Sequence, residues 1–163
     1  MKRLFAVIMM LLTIIPLTAC GNKTDDGTGT DIIGAPNPFM DFDTLAEAEK
    51  QTGFYITLPD AIGGSDNKIY RTMNNEMIEV IYVSGDDESG RVRKARGSED
   101  ISGDYNEYAE TENVSVGGVD VLLKGDAGLV KLALWTNGGY TYSVSAEAGV
   151  SADEMTALVS AVV

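Results

Sequence analysis

Between residues 68 and 146 the chain is cut at short intervals by Asn- or Gly-rich turns, and the runs between them suit strands rather than helices. Residues 68–73 and 76–83 flank Asn74-Asn75, a pair that tolerates the positive φ angles of a type I′ hairpin turn. Read with that two-residue turn, Ile69, Ile78, Val80 and Tyr82 share a face, the expected core face. Residues 85–90 (Gly-Asp-Asp-Glu-Ser-Gly) form a turn, 91–96 a third strand, and 97 to about 112 a polar loop. A meander follows, with strands at 114–116, 119–124, 129–136 and 140–146 separated by glycine turns. Tyr140, Tyr142, Val144 and Ala146 alternate with Thr141, Ser143 and Ser145, the pattern of a sheet with one wet face.

Two short helices flank these strands. Thr44-Leu45-Ala46-Glu47 is a capping box, and Gly53 stands where a left-handed residue ends the helix. Residues 54–58 (Phe-Tyr-Ile-Thr-Leu) then alternate as a short strand stopped by Pro59. Ser151-Ala152-Asp153-Glu154 is a second capping box and opens a helix in which Met155, Leu158, Val159 and Val162 recur on one side. The expected fold is α+β: an antiparallel sheet of about six or seven strands, with two helices packed on one face.

The N-terminal segment is of another kind. Lys2 and Arg3 precede an apolar run from Leu4 to Leu17, too short and too soon broken by Pro16 for a spanning helix. Leu17-Thr18-Ala19-Cys20, followed by Gly21, has the form of a lipobox. The expectation is a signal peptide over residues 1–19, lipid on Cys20 and a flexible Gly/Thr/Asp/Pro tether to residue 37. A single domain then runs over 38–163. Two or three acyl chains suffice for stable anchoring, so the expected location is the extracytoplasmic face of the cell membrane, with the membrane a partner through Cys20.

Composition narrows the chemistry. Of 163 residues none is His and Cys20 is the one Cys, so Ser-His-Asp and Cys-His catalysis and the usual zinc sites lack their residues. No cofactor and no metal site is expected. The segment 25–31 and the turn 85–90 place Asp beside Gly without the alternation of an EF-hand. Loss of Lys2 and Arg3 with the signal leaves 10 cations against 25 acids, a net charge of about −15, which makes nucleic acid a poor partner.

Candidate sites are few. Asp100 and Asp104 are a possible acid–base pair, but 25 acids produce close pairs by chance. Trp135, Tyr140 and Tyr142 suit either a groove or, better, the core. The strand 91–96 (Arg-Val-Arg-Lys-Ala-Arg) is expected at a sheet edge protected by its charge, with the acidic loop folding back to neutralise it. The sharper alternative makes Arg93, Lys94, Arg96, Tyr105 and Tyr108 a ligand-binding surface.

Three segments carry a resemblance: Asn37-Pro38-Phe39 leading to residues 45–50 (Leu-Ala-Glu-Ala-Glu-Lys); residues 93–106, Arg-Lys-Ala-Arg-Gly-Ser-Glu-Asp-Ile-Ser-Gly-Asp-Tyr-Asn; and Ala133-Leu134-Trp135-Thr136. Over roughly residues 37–163 the chain resembles an uncharacterised family of lipoproteins of Gram-positive bacteria. Related domains of unknown function form the extracytoplasmic part of anti-sigma-factor-like membrane proteins. The resemblance implies an envelope location and a non-enzymatic sensing or binding role, and it assigns no site residue. The resulting expectation is a lipid-anchored binding or sensing module, not an enzyme, whose partner is an envelope protein or small ligand. The alternatives are a carboxylate-dependent envelope hydrolase and a structural docking lipoprotein.

Overall fold

The computed structural model describes residues 37–162, so the signal peptide, Cys20 and nearly all of the tether lie outside the described residues. The order of elements is β1 (Phe39–Phe42), α1 (Leu45–Thr52), β2 (Asn67–Met73), β3 (Met77–Ser84), β4 (Asp87–Arg96), β5 (Glu110–Val116), β6 (Val119–Asp126), β7 (Leu129–Asn137), β8 (Tyr140–Val150) and α2 (Ala152–Val162). The fold is α+β, with two helices and one open antiparallel sheet of eight strands rather than six or seven. The sheet order is β1-β2-β3-β4-β8-β7-β6-β5. Two four-strand meanders therefore meet where β4 pairs with β8.

Local chemistry explains most of the turns. Asn74 and Asn75 both adopt positive φ, as do Gly138 and Gly139, which gives the hairpins the primed turns that match strand twist. Thr44 and Glu47 form the reciprocal capping box, and Gly53 at φ 75° closes α1. At α2 one half of the expected box forms: the Ser151 hydroxyl accepts from the Glu154 amide at 3.2 Å, without the return bond that Glu47 accepts from the Thr44 amide.

The core occupies one face of the sheet, beneath the helices. Ile78, Val80 and Tyr82 of β3 join Val92, Tyr142, Val144, Ala133, Trp135, Val121 and Leu123 across the strands, and α2 adds Met155, Leu158, Val159 and Val162. Trp135 and Tyr142 stack with ring centroids 5.1 Å apart inside this core.

Four expectations need correction. Residues 54–58 form no strand. Phe54 and Ile56 are buried in the core, and the Ile56 amide donates to the Glu49 carboxylate at 3.0 Å instead of to a ladder. Their alternation reports burial, which a segment crossing a sheet face acquires without strand pairing. Second, β1 was not anticipated, because four residues carry too little pattern. Third, Ile69 lies on the face opposite Ile78, since it pairs with Ile81 while Thr72 pairs with Ile78. Glu76 stands as an extra residue between the Asn74-Asn75 turn and the first pair, Met73 with Met77. One residue of slip turns the whole strand over. Fourth, the cationic strand is not an edge: β4 lies between β3 and β8, near the middle of the sheet.

Candidate functional site

Topology places a long connection on the face away from the helices. The chain leaves β4 at the centre and must reach β5 at the far edge, so residues 97–109 form a strap across the sheet. The strap is held by backbone carbonyls. Thr141 of β8 donates its hydroxyl to the Glu99 carbonyl at 2.9 Å. Arg93 donates to the Ile101 carbonyl at 2.7 Å and also to that of Ser102.

Arg93 belongs to a charged row beneath the strap. Register sets Arg71 opposite Glu79 and Glu79 opposite Arg93, with Arg91 two residues along the same face of β4. The Glu79 side chain is completely buried and takes hydrogen bonds from Arg71 (2.8 Å), Arg91 (3.0 Å) and Arg93 (2.6 Å). Arg91 also pairs with Glu88 at 3.0 Å. Burial pushes the Glu79 carboxyl upward, but the charges of Arg93 and Arg91 and the hydrogen bonds of Arg93 and Arg71 prevail, so its pKa lies below the ordinary value. The expected neutralisation by the acidic loop does not occur: Glu79 and Glu88 of the sheet supply the counter-charges, and the strap contributes backbone carbonyls to Arg93.

Within the strap, Asp100 accepts from the Ser102 amide and hydroxyl at 2.8 and 2.7 Å. Asp104 accepts from the Asn106 amide at 2.8 Å and from the Tyr108 hydroxyl. Partial burial, the bond to Asp104 and its charge push the Tyr108 hydroxyl up to about 12. Both carboxylates are therefore tied into local turns. Tyr105 is 96 % exposed. It borders two clefts, one of about 330 Å³ against Phe39, Met73, Met77 and Ile101. The other, of about 410 Å³, is walled by Glu88, Arg91, Asp104, Asn106 and Glu147.

The five proposed ligand residues are divided by the two-residue period of the strand. Arg93 sits under the strap with Tyr105 and Tyr108 on it. Lys94 turns to the helix side, donating to the Tyr55 carbonyl at 2.6 Å with its ammonium 4.4 Å from the Tyr140 ring. Arg96 donates to the Thr52 carbonyl at 2.9 Å and lies over Phe54. Arg71, Glu79, Arg91 and Gly103 were missed. A lone carboxylate in the apolar run Met77-Ile78-Glu79-Val80-Ile81 was the available signal.

Gly103 sets how closely the strap approaches. It has φ +64°, and a Cβ there would stand 2.6 Å from the Arg93 guanidinium. Gly103→Ala is expected to lower stability by about 1–3 kcal/mol and to expose residues 97–109 to proteolysis. Unchanged melting and cleavage would show that the strap does not depend on this contact.

Among the described residues no cluster of three metal-ligating side chains exists, and no helix is long and apolar enough to cross a membrane. The architecture defines a class: an α+β domain with helices over one sheet face and a strapped, charged opposite face. The model of the family described as "Domain of unknown function (DUF4367)" matches residues 52–162, and the chain belongs to that family. No curated protein and no solved structure matches. The match covers the charged row, the strap and α2, and leaves out β1 and nearly all of α1. Of the three segments that carried the resemblance, the first lies before it and the other two within it.

Proposed function

We propose that the protein is a lipid-anchored, extracytoplasmic binding module without catalytic activity, and that its ligand surface is the strap around Tyr105. One observation carries the reading: a fully exposed aromatic ring stands on a segment whose backbone is pinned to the centre of a rigid sheet. A free tyrosine contributes nothing to the core, whereas an aromatic held in place loses little entropy on contact. The clefts on either side offer one apolar and one polar wall. The lipobox supports anchoring. The resemblance to lipoproteins of Gram-positive bacteria, and to extracytoplasmic domains of anti-sigma-factor-like proteins, agrees with a sensing or binding role.

Two measurements test this reading. Cys20→Ser is expected to abolish incorporation of labelled fatty acid, and equal labelling of both forms would refute anchoring. A photo-crosslinking residue at Tyr105 is expected to trap one defined species in intact cells. The same probe at Tyr55, 79 % exposed but beside the helices, is expected to trap none. Identical products from both positions, or none from either, would refute the strap as the binding surface.

A further inference from the structure

The strap delivers the chain to β5, whose one sheet neighbour is β6. Its outer side is an open row of main-chain donors and acceptors over seven residues, about 24 Å at strand rise. The opposite edge, β1, has four residues. The first four residues of β5 are exposed. Beside this edge lies a concavity of about 560 Å³, floored by Leu123, Leu129 and Val130 and closed at one end by Ala152, where α2 begins.

The register decides what an added strand would meet. Glu112 pairs with Leu123 and Glu110 with Gly125, so both carboxylates lie on the face that holds the concavity; one oxygen of Glu110 accepts from the Gly128 amide at 2.9 Å, and Glu112 makes no such bond. They are two residues apart, the spacing of successive side chains on one face of a strand. Lys and Arg on a strand added outside β5 would stand one strand spacing, about 4.8 Å, from Glu110 and Glu112, within reach of both carboxylates. The whole chain carries a net charge of −13, which favours the same partner.

We propose that the β5 edge binds an extended, basic peptide segment of a partner protein, which adds a ninth antiparallel or parallel strand to the sheet. Main-chain bonds supply the attachment, and Lys or Arg at alternate positions meet Glu110 and Glu112. This surface is separate from the strap around Tyr105, and its test does not depend on that reading.

The test uses the full chain in detergent and two capped heptapeptides of equal charge. One alternates lysine with threonine; the other alternates lysine with proline, which has no amide hydrogen and resists pairing. The threonine peptide is expected to bind and to slow hydrogen exchange in residues 110–116, and the proline peptide to do neither. Glu112→Lys is expected to weaken the threonine peptide roughly tenfold, since attraction becomes repulsion across a strand pair. Asp153→Lys, with the same change of net charge on α2, is expected to leave binding nearly as it was. Equal binding of both peptides, binding of neither, or protection mapping elsewhere would overturn the proposal. So would protection of β5 that rises with protein concentration alone, because the edge would then be occupied by a second copy.

Discussion

A chain ended after Gly149 is expected not to fold cooperatively. The cut removes Val150 and all of α2, and with them Met155, Leu158, Val159 and Val162, each 9 % exposed or less. These side chains belong to the core cluster that also holds Trp135, Val144 and Phe54. At about 1.5–3 kcal/mol each, the four from α2 represent about 6–12 kcal/mol, close to the 5–15 kcal/mol that holds an ordinary domain together. The cut also uncovers the apolar face of β5, β7 and β8, where α2 packs, and frees the Thr57 hydroxyl from the Val162 carbonyl at 3.1 Å. Urea unfolding followed by circular dichroism is the measurement. A truncated chain with the same urea midpoint as the full one would show that α2 lends the sheet no stability.

Glu79→Gln is expected to cost about 3–5 kcal/mol, the largest effect of any single substitution considered for this protein. The carboxylate is fully buried and answers three guanidinium groups. Without its charge, Arg93 remains buried, with Arg91 two residues along β4 and Arg71 on the far side of β3, and no carboxylate is shared by the three. The loss also reaches the strap, because Arg93 holds the Ile101 carbonyl from the same guanidinium that binds Glu79. The pH dependence follows from the depressed folded pKa. An unfolded glutamate titrates near about 4.3. The stability that Glu79 contributes is therefore present above that value and is lost as pH falls through the lower folded pKa. The gap between wild type and Glu79→Gln is expected to be widest at neutral pH and to close in acid. A gap that stayed constant down to acid unfolding would mean that the glutamine costs stability through shape rather than charge.

Much of the architecture was legible because it is written in short-range chemistry. Asn74-Asn75, Gly138-Gly139 and Gly53 mark places where the backbone takes positive φ, and they mark them whatever the rest of the chain does. Thr44 with Glu47 likewise starts a helix from four residues. Alternation in β8 tells which residues face the core, and Tyr142, Val144 and Ala146 are buried there, but the other face is not wet: Thr141 and Ser143 are buried too, on the side the strap crosses. The same reasoning misread residues 54–58, since alternating burial does not require a ladder.

The site was half legible for a related reason. Tyr105 and Tyr108 drew notice as aromatics in a polar loop without a packing role. Arg93, Lys94 and Arg96 drew notice as a run of charge, yet a strand sends neighbours to opposite faces, so Lys94 and Arg96 serve the helix side. Glu79 stands inside an apolar strand, and only the register shows it as the shared counter-charge of Arg71, Arg91 and Arg93.

Short-range chemistry dictates the turns at Asn74-Asn75 and Gly138-Gly139, the cap of α1, the antiparallel strand class and the core face of β8, because each depends on residues within a few positions of one another. The expected turn 85–90 is shorter, since β4 already begins at Asp87. Long-range pairing places β4 at the centre, lets Glu76 reverse β2, and carries residues 97–109 across the sheet above Arg93. Those outcomes depend on which strands pair over long separations, and the free energy that selects a pairing comes from burying many side chains at once.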